Sequence, residues 1–167
     1  MLFKNTLEPD DWPNVDALLR GTYPTEFEAH LIDRLRGRGQ LAAEHSLWHQ
    51  GALVAYIAYS PVTVEHGHED RTFWGLGPLA VDPEYQNEGL AVKLMTESFE
   101  ETHADALFVL GHVGFYAKIG FHPAAEFGLS YDDNSAVQTA FMAMECWKDA
   151  LKDIHGRVFF DPAFAEG

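Results

Sequence analysis

The chain has 167 residues, 47% hydrophobic and 13% aromatic, which is enough apolar surface for the core of one domain over residues 1–167 and more aromatic content than a disordered chain carries. Eleven Lys and Arg against 26 Asp and Glu leave a net charge of −15, which repels phosphate backbones and anionic headgroups and argues against nucleic acid or a membrane surface as partner. A single cysteine, Cys146, excludes an internal disulfide; with no basic-then-apolar leader and no long apolar run, a cytoplasmic protein is expected.

Residues 2–7 read as a first strand, after which the acidic, proline-containing stretch Glu8 to Pro13 opens a helix with Val15, Leu18 and Leu19 at helical spacing. A second helix is predicted over Glu26 to Arg36, with Phe27, Leu31 and Leu35 on one face and Gly37 and Gly39 at its end. Between Leu41 and Pro61 the pattern changes to two strand-like runs, LAAEHSLWHQ and LVAYIAYS, parted by Gly51-Ala52 as in a hairpin. The loop VEHGHEDR follows, and then a strand from Thr72 to Val81. In the next helix the small or apolar positions Ala91, Leu94, Met95, Ser98, Phe99 and Thr102 recur every three or four residues. Ala106 to Leu110 is short and wholly apolar, as a strand buried on both faces would be. Strand, helix and buried strand in that order make a crossover between two parallel strands. A short helix around Gly114 to Ile119, an antiparallel pair whose clearer strand is Gln138 to Trp147, and an edge strand in the tail from His155 complete a mixed sheet.

Residues 76–95, LGPLAVDPEYQNEGLAVKLM, join a strand to a helix through a turn with glycine at the helix start. Such a turn aims free backbone N–H groups and the positive end of the helix dipole at one point, which suits a diphosphate. Gly89 lets the backbone approach a ligand, and Ala91 keeps the first helical turn slim. Gly77-Pro78 inside the preceding strand marks a bulge, since proline cannot donate to a ladder. Beyond it, backbone groups of Leu79, Ala80 and Val81 are expected to be unpaired and open to an amide-rich arm such as pantetheine. A diphosphate at the turn and pantetheine along the strand together describe coenzyme A.

On these residues the chain resembles the GNAT superfamily of N-acetyltransferases. Gln86, Gly89 and Ala91 match its signature of Gln or Arg, two residues, Gly, one residue, then Gly or Ala. LGPLAVDPEYQ before them and GFYAKIGF, residues 114–121, resemble the phrases that flank the signature in that family. The resemblance implies an α/β fold with α+β character: a central mixed, mostly antiparallel sheet with a splayed parallel strand pair and helices on both faces. It implies acetyl-CoA as cosubstrate, held by Leu79, Ala80 and Val81 and by Gln86, Asn87, Glu88, Gly89, Leu90 and Ala91. The acetyl group would pass by direct attack to a primary amine of a small molecule or peptide, and a homodimer is implied only by analogy. Glu88 departs from the basic or small residue common in relatives; a carboxylate pointing to water there costs on the order of tenths of a kcal/mol.

Acyl transfer needs a neutral amine close to the thioester and a proton for the departing thiolate. The resemblance places the proton donor at Tyr116, a phenol with a reference pKa of roughly 10. No carboxylate lies on the strand from Thr72 to Val81, where many relatives have one, so the base is left open among His112, Glu26, Asp33 and a relay of waters. No metal is expected: Glu65-His66-Gly67-His68-Glu69-Asp70 has ligand residue types without a recognisable spacing. Gly111-His112-Val113-Gly114 imitates a dinucleotide fingerprint incompletely. Two competing functions remain at this level: a non-catalytic acyl-CoA-binding or sensing module, and a nicotinamide-dependent oxidoreductase, which would have to bind NAD.

Overall fold

The computed structural model describes residues 1–131 and 135–165. In chain order the elements are β1 (Leu2–Lys4), α1 (Trp12–Thr22), α2 (Phe27–Gly37), β2 (Ala43–His49), β3 (Ala52–Val64), β4 (Phe73–Val81), α3 (Leu90–Glu100), β5 (Ala106–Leu110), α4 (Val113–Ala117), β6 (His122–Pro123), β7 (Leu129–Ser130), α5 (Ser135–Gln138), β8 (Phe141–Glu145) and β9 (Gly156–Phe159). The chain clusters into two units, one of Met1–Ser60, Gly77–Thr102 and Pro162–Gly167, the other of Pro61–Leu76 and His103–Asp161. The strands β3 and β4 contribute one end to each. Among the described residues no helix is long and apolar enough to cross a membrane.

In the first unit β1 pairs antiparallel with β2, and β2 with β3. The first strand is shorter than residues 2–7 because the chain turns early toward α1. Glu8 and Asp11 close the turn there: the Glu8 N–H donates to the Asp11 carboxylate at 3.0 Å, as in a capping box, and the Asp11 N–H donates to the Glu8 carbonyl at 2.8 Å, the turn's own backbone bond. The hairpin turn is Gln50-Gly51, one residue earlier than expected, with φ of 50° and 81° as a two-residue hairpin loop requires.

Alternation along β3 sorts its side chains by face. Tyr56 and Ala58 pack with Val15, Leu18 and Leu19 of α1 and Ala29 and Ile32 of α2. Tyr59 points the other way, its hydroxyl 2.7 Å from that of Ser98 on α3. Within this unit helices therefore cover both faces of the strand. Each fully buried large side chain, such as Leu19, Ile32, Tyr56 and Leu94, contributes about 1.5–3 kcal/mol of burial.

In the second unit Phe73–Gly75 of β4 pair parallel with Ala106–Phe108 of β5, and the register stops at Gly75. Antiparallel pairing of β5 with β8 and of β8 with β6 extends the sheet, so it is mixed, as expected. Phe108 anchors the core, edge-on to Phe73 at 5.9 Å and stacked on Phe141 at 5.7 Å. Two expectations need correction. The second hairpin strand does not end at Pro61 but runs to Val64, with Val62 and Val64 buried and Thr63 exposed; Pro61 is itself exposed, where a missing N–H is tolerated. The tail strand β9 is not an edge, because it pairs antiparallel with β3 and parallel with β7. Glu65 fastens it there: its carboxylate accepts the Arg157 N–H at 3.1 Å, and its own N–H donates to the Arg157 carbonyl at 2.8 Å.

Candidate functional site

The segment from Gly77 through α3 lies in the first unit. At the expected bulge Gly77 adopts a φ of 141°, a conformation that suits glycine, and its peptide bond to Pro78 is cis. Past this point the Leu79 carbonyl accepts the Tyr23 hydroxyl at 2.6 Å, and the Val81 carbonyl accepts the Gln86 amide at 3.0 Å. These carbonyls are thus partly engaged by the protein, though each keeps a second lone pair. The Asp82 N–H then donates to the Val54 carbonyl at 2.8 Å, and the Asp82 carboxylate accepts the Glu84 N–H at 2.9 Å, which starts a short 3-10 helix over Pro83–Tyr85.

The turn itself places Asn87 at φ 66° and Gly89 at φ 79°, both left-handed. Gly89 is the N-cap of α3, and no side chain caps the helix. The first turn of α3 therefore presents N–H groups without the usual side-chain acceptor, and the helix dipole adds to their pull on an anion. Gln86, Asn87, Glu88 and Gly89 are exposed, Ala91 is half-buried, and Leu90 is buried and anchors the turn to the core. Gln86, read from sequence as a ligand contact, spends its amide on fastening the turn to Val81.

The two carboxylates weighed as bases both lie at the surface. Glu26 is exposed and bonded to the Arg20 guanidinium at 2.7 Å, and Asp33 is exposed on α2. Another carboxylate, not weighed from the sequence, is Glu28 in the first turn of α2, which is half-buried and has one oxygen, Oε1, that is shut off from solvent and has no hydrogen-bond partner. Burial, and secondly the Glu28 carboxylate, hold the Tyr23 phenol up at about 12, so it stays a donor to Leu79. Sequence patterning missed Glu28, because an unmet oxygen is a property of packing that leaves no mark in residue order.

His112 and Tyr116 lie in the second unit. His112 is the N-cap of α4, its carbonyl accepting the N–H groups of Phe115 and Tyr116 at 3.1 Å, while its side chain is exposed and caps nothing. Tyr116 is buried, its ring edge-on to Phe115 at 5.1 Å and to Phe121 at 5.5 Å. Gly111 makes room for it: a Cβ at that position would lie 2.8 Å from the Tyr116 ring. Cys146 is half-buried, and burial together with Asp105 pushes its thiol up to about 11, away from nucleophilic duty. Among the described residues no three His, Cys, Asp or Glu side chains come together to hold a metal ion.

Residues 40–123 match the family model described as an acetyltransferase (GNAT) domain. The uncharacterized N-acetyltransferase YhbS of Escherichia coli K12 is 34% identical over 160 residues, which are 93% of this chain and 94% of that protein. The E. coli N-acetyltransferase YjhQ is 32% identical over 80 residues, 46% of this chain and 44% of that protein. Among solved structures, E. coli YhbS in complex with CoA superposes with a TM-score of 0.91 at 33% identity, covering 98% of this chain and 91% of that one. A GNAT acetyltransferase from Brucella melitensis in complex with acetyl-CoA gives 0.78 at 23% identity, covering 98% and 97%, a likeness that speaks to the fold.

Proposed function

Because the chain belongs to the GNAT acetyltransferase family, we propose that it passes an acetyl group from acetyl-CoA, by direct attack, to a primary amine of a small molecule or peptide. One observation carries the reading: the left-handed turn at Asn87 and Gly89 opens α3 with no side-chain cap, on the segment that matches the family signature. The diphosphate of the donor rests on backbone N–H groups of Gln86 to Ala91, and its pantetheine arm runs along Leu79 to Val81. The CoA complex of YhbS supports the donor. An exposed Glu88 side chain leaves the backbone free to do the gripping.

In the reaction the amine nitrogen forms a bond to the thioester carbon, the carbon–sulfur bond breaks, and the electron pair leaves on sulfur. Tyr116 gives its hydroxyl proton to that thiolate, and the surplus proton on nitrogen passes to the exposed imidazole of His112 or to water. The enclosure of the Tyr116 ring by Phe115 and Phe121 supports a fixed donor rather than a wandering one. The charge balance and the absence of a membrane-crossing helix among the described residues are compatible with work in the cytoplasm.

Offered acetyl-CoA and a panel of primary amines, the protein should release free coenzyme A thiol in step with an acetylated amine. Tyr116→Phe should lower turnover about a hundredfold or more while acetyl-CoA binding persists. Unchanged turnover in that variant would remove Tyr116 from the mechanism, and acetyl-CoA binding without transfer to any amine would defeat the enzymatic reading.

A further inference from the structure

A carboxylate oxygen shut off from solvent and given no donor loses its hydration without a bond in return, even where the rest of the side chain is half-buried. Glu28 Oε1 is such an atom. Its neighbour Tyr23 does not relieve it, since the phenol proton is committed to the Leu79 carbonyl at 2.6 Å. Tyr23 also fixes the place: it is the side chain that joins the end of α1 to the strand segment proposed to carry the pantetheine arm. Close by in sequence, Glu26 is bonded to Arg20 and Asp33 is exposed to water, so the buried oxygen without a donor on this stretch belongs to Glu28.

The missing partner must be a donor, and beside a carboxylate a cation is favoured over a neutral group. A neutral donor would satisfy the oxygen more weakly, and a molecule with no N–H or O–H group would leave it as it is. A chain of net charge −15 draws cations toward it from a distance as well. We propose that Glu28 receives the ammonium group of the arriving acceptor beside Tyr23 and Leu79, the nitrogen losing one proton to water before it attacks, an assignment that rests on the acetyl-transfer reading above. Glu28 is then a specificity residue that selects cationic amines and holds them near the strand that carries the donor. A purely structural Glu28 would instead stabilise the free protein, and its unmet oxygen argues the reverse.

The test is calorimetric titration of the CoA-saturated protein with two probes, putrescine and Nα-acetyl-lysine amide, in wild type, Glu28→Gln and Glu28→Asp. Glu28→Gln should weaken the better-bound probe about tenfold or more, with Glu28→Asp recovering part of the loss. Acetyl-CoA affinity should be the same in all three, and the thermal midpoint of Glu28→Gln should equal or exceed that of wild type. Equal probe affinity in wild type and Glu28→Gln overturns the proposal, as does failure of both probes to bind wild type. A lowered midpoint together with weakened acetyl-CoA binding in Glu28→Gln overturns it too, by making Glu28 structural. Failure of wild type to bind acetyl-CoA is a separate result that brings down the transfer reading itself.

Discussion

Tyr116 is asked to hand over a proton at a fixed place, and the residue that makes this place available is a glycine. Gly111 closes β5, and any Cβ there would press on the Tyr116 ring at 2.8 Å, inside ordinary contact. Gly111→Ala should therefore turn the ring, at a stability cost of about 1–3 kcal/mol typical of overpacking. Steady-state kinetics should show turnover falling while the acetyl-CoA affinity stays; an unchanged turnover would mean that the ring orientation does not matter. At this scale the sequence was readable where a residue type is tied to one backbone task, as for Gly89. It was silent where a role depends on who is nearby. Glu28 and Tyr23 are of the second kind, and Gln86 is a mixed case: the residue was singled out, but the bond its amide makes, to the Val81 carbonyl, was not foreseen.

Among the elements, the start of α3 bears most of the functional argument. Gly89 holds a φ of 79°, where an L side chain is strained by roughly 1–2 kcal/mol. Gly89→Ala should lower stability by about that amount, read from denaturant unfolding, and weaken acetyl-CoA binding by calorimetry, because the turn would relax away from its left-handed form. Retained affinity at reduced stability would separate the glycine from the ligand. Periodicity located this helix and placed β5 at Ala106–Leu110, the bounds observed, because a continuous apolar run flanked by polar residues and glycine has little room to slip. It failed at Pro61, which reads locally as a strand terminator but stands exposed within β3. It failed also for β9, whose neighbours β3 and β7 are far off in sequence and whose place beside the end of β3 is fixed by the Glu65 carboxylate.

At the scale of the whole molecule the governing quantity is charge. A net −15 attracts a cationic amine and repels the anionic donor, and salt screens both effects. Raising ionic strength should thus raise KM for the amine and lower KM for acetyl-CoA, an opposed pair of trends that a general salt effect on folding would not produce. Parallel trends in the two constants would take long-range electrostatics out of the account. Composition set the sign of this field, but not where on the surface a cation is received; of the three carboxylates on α2 or its approach, Glu26 is paired with Arg20, Asp33 is exposed, and Glu28 keeps a buried oxygen without a donor. The family signature made the mixed sheet and its helices legible before the strands were seen. The acceptor side had no such motif, because α1, α2 and their side chains carry ordinary amphipathic patterns.

The central claim is that the acetyl group of acetyl-CoA ends on an amine nitrogen. Its most direct measurement follows an isotopic label in the acetyl group of acetyl-CoA by NMR, in the presence of the protein and a primary amine. The account predicts that the label moves from the thioester to an amide as thiol is released in equal amount. Label that stays on coenzyme A, or appears only as free acetate, would contradict it.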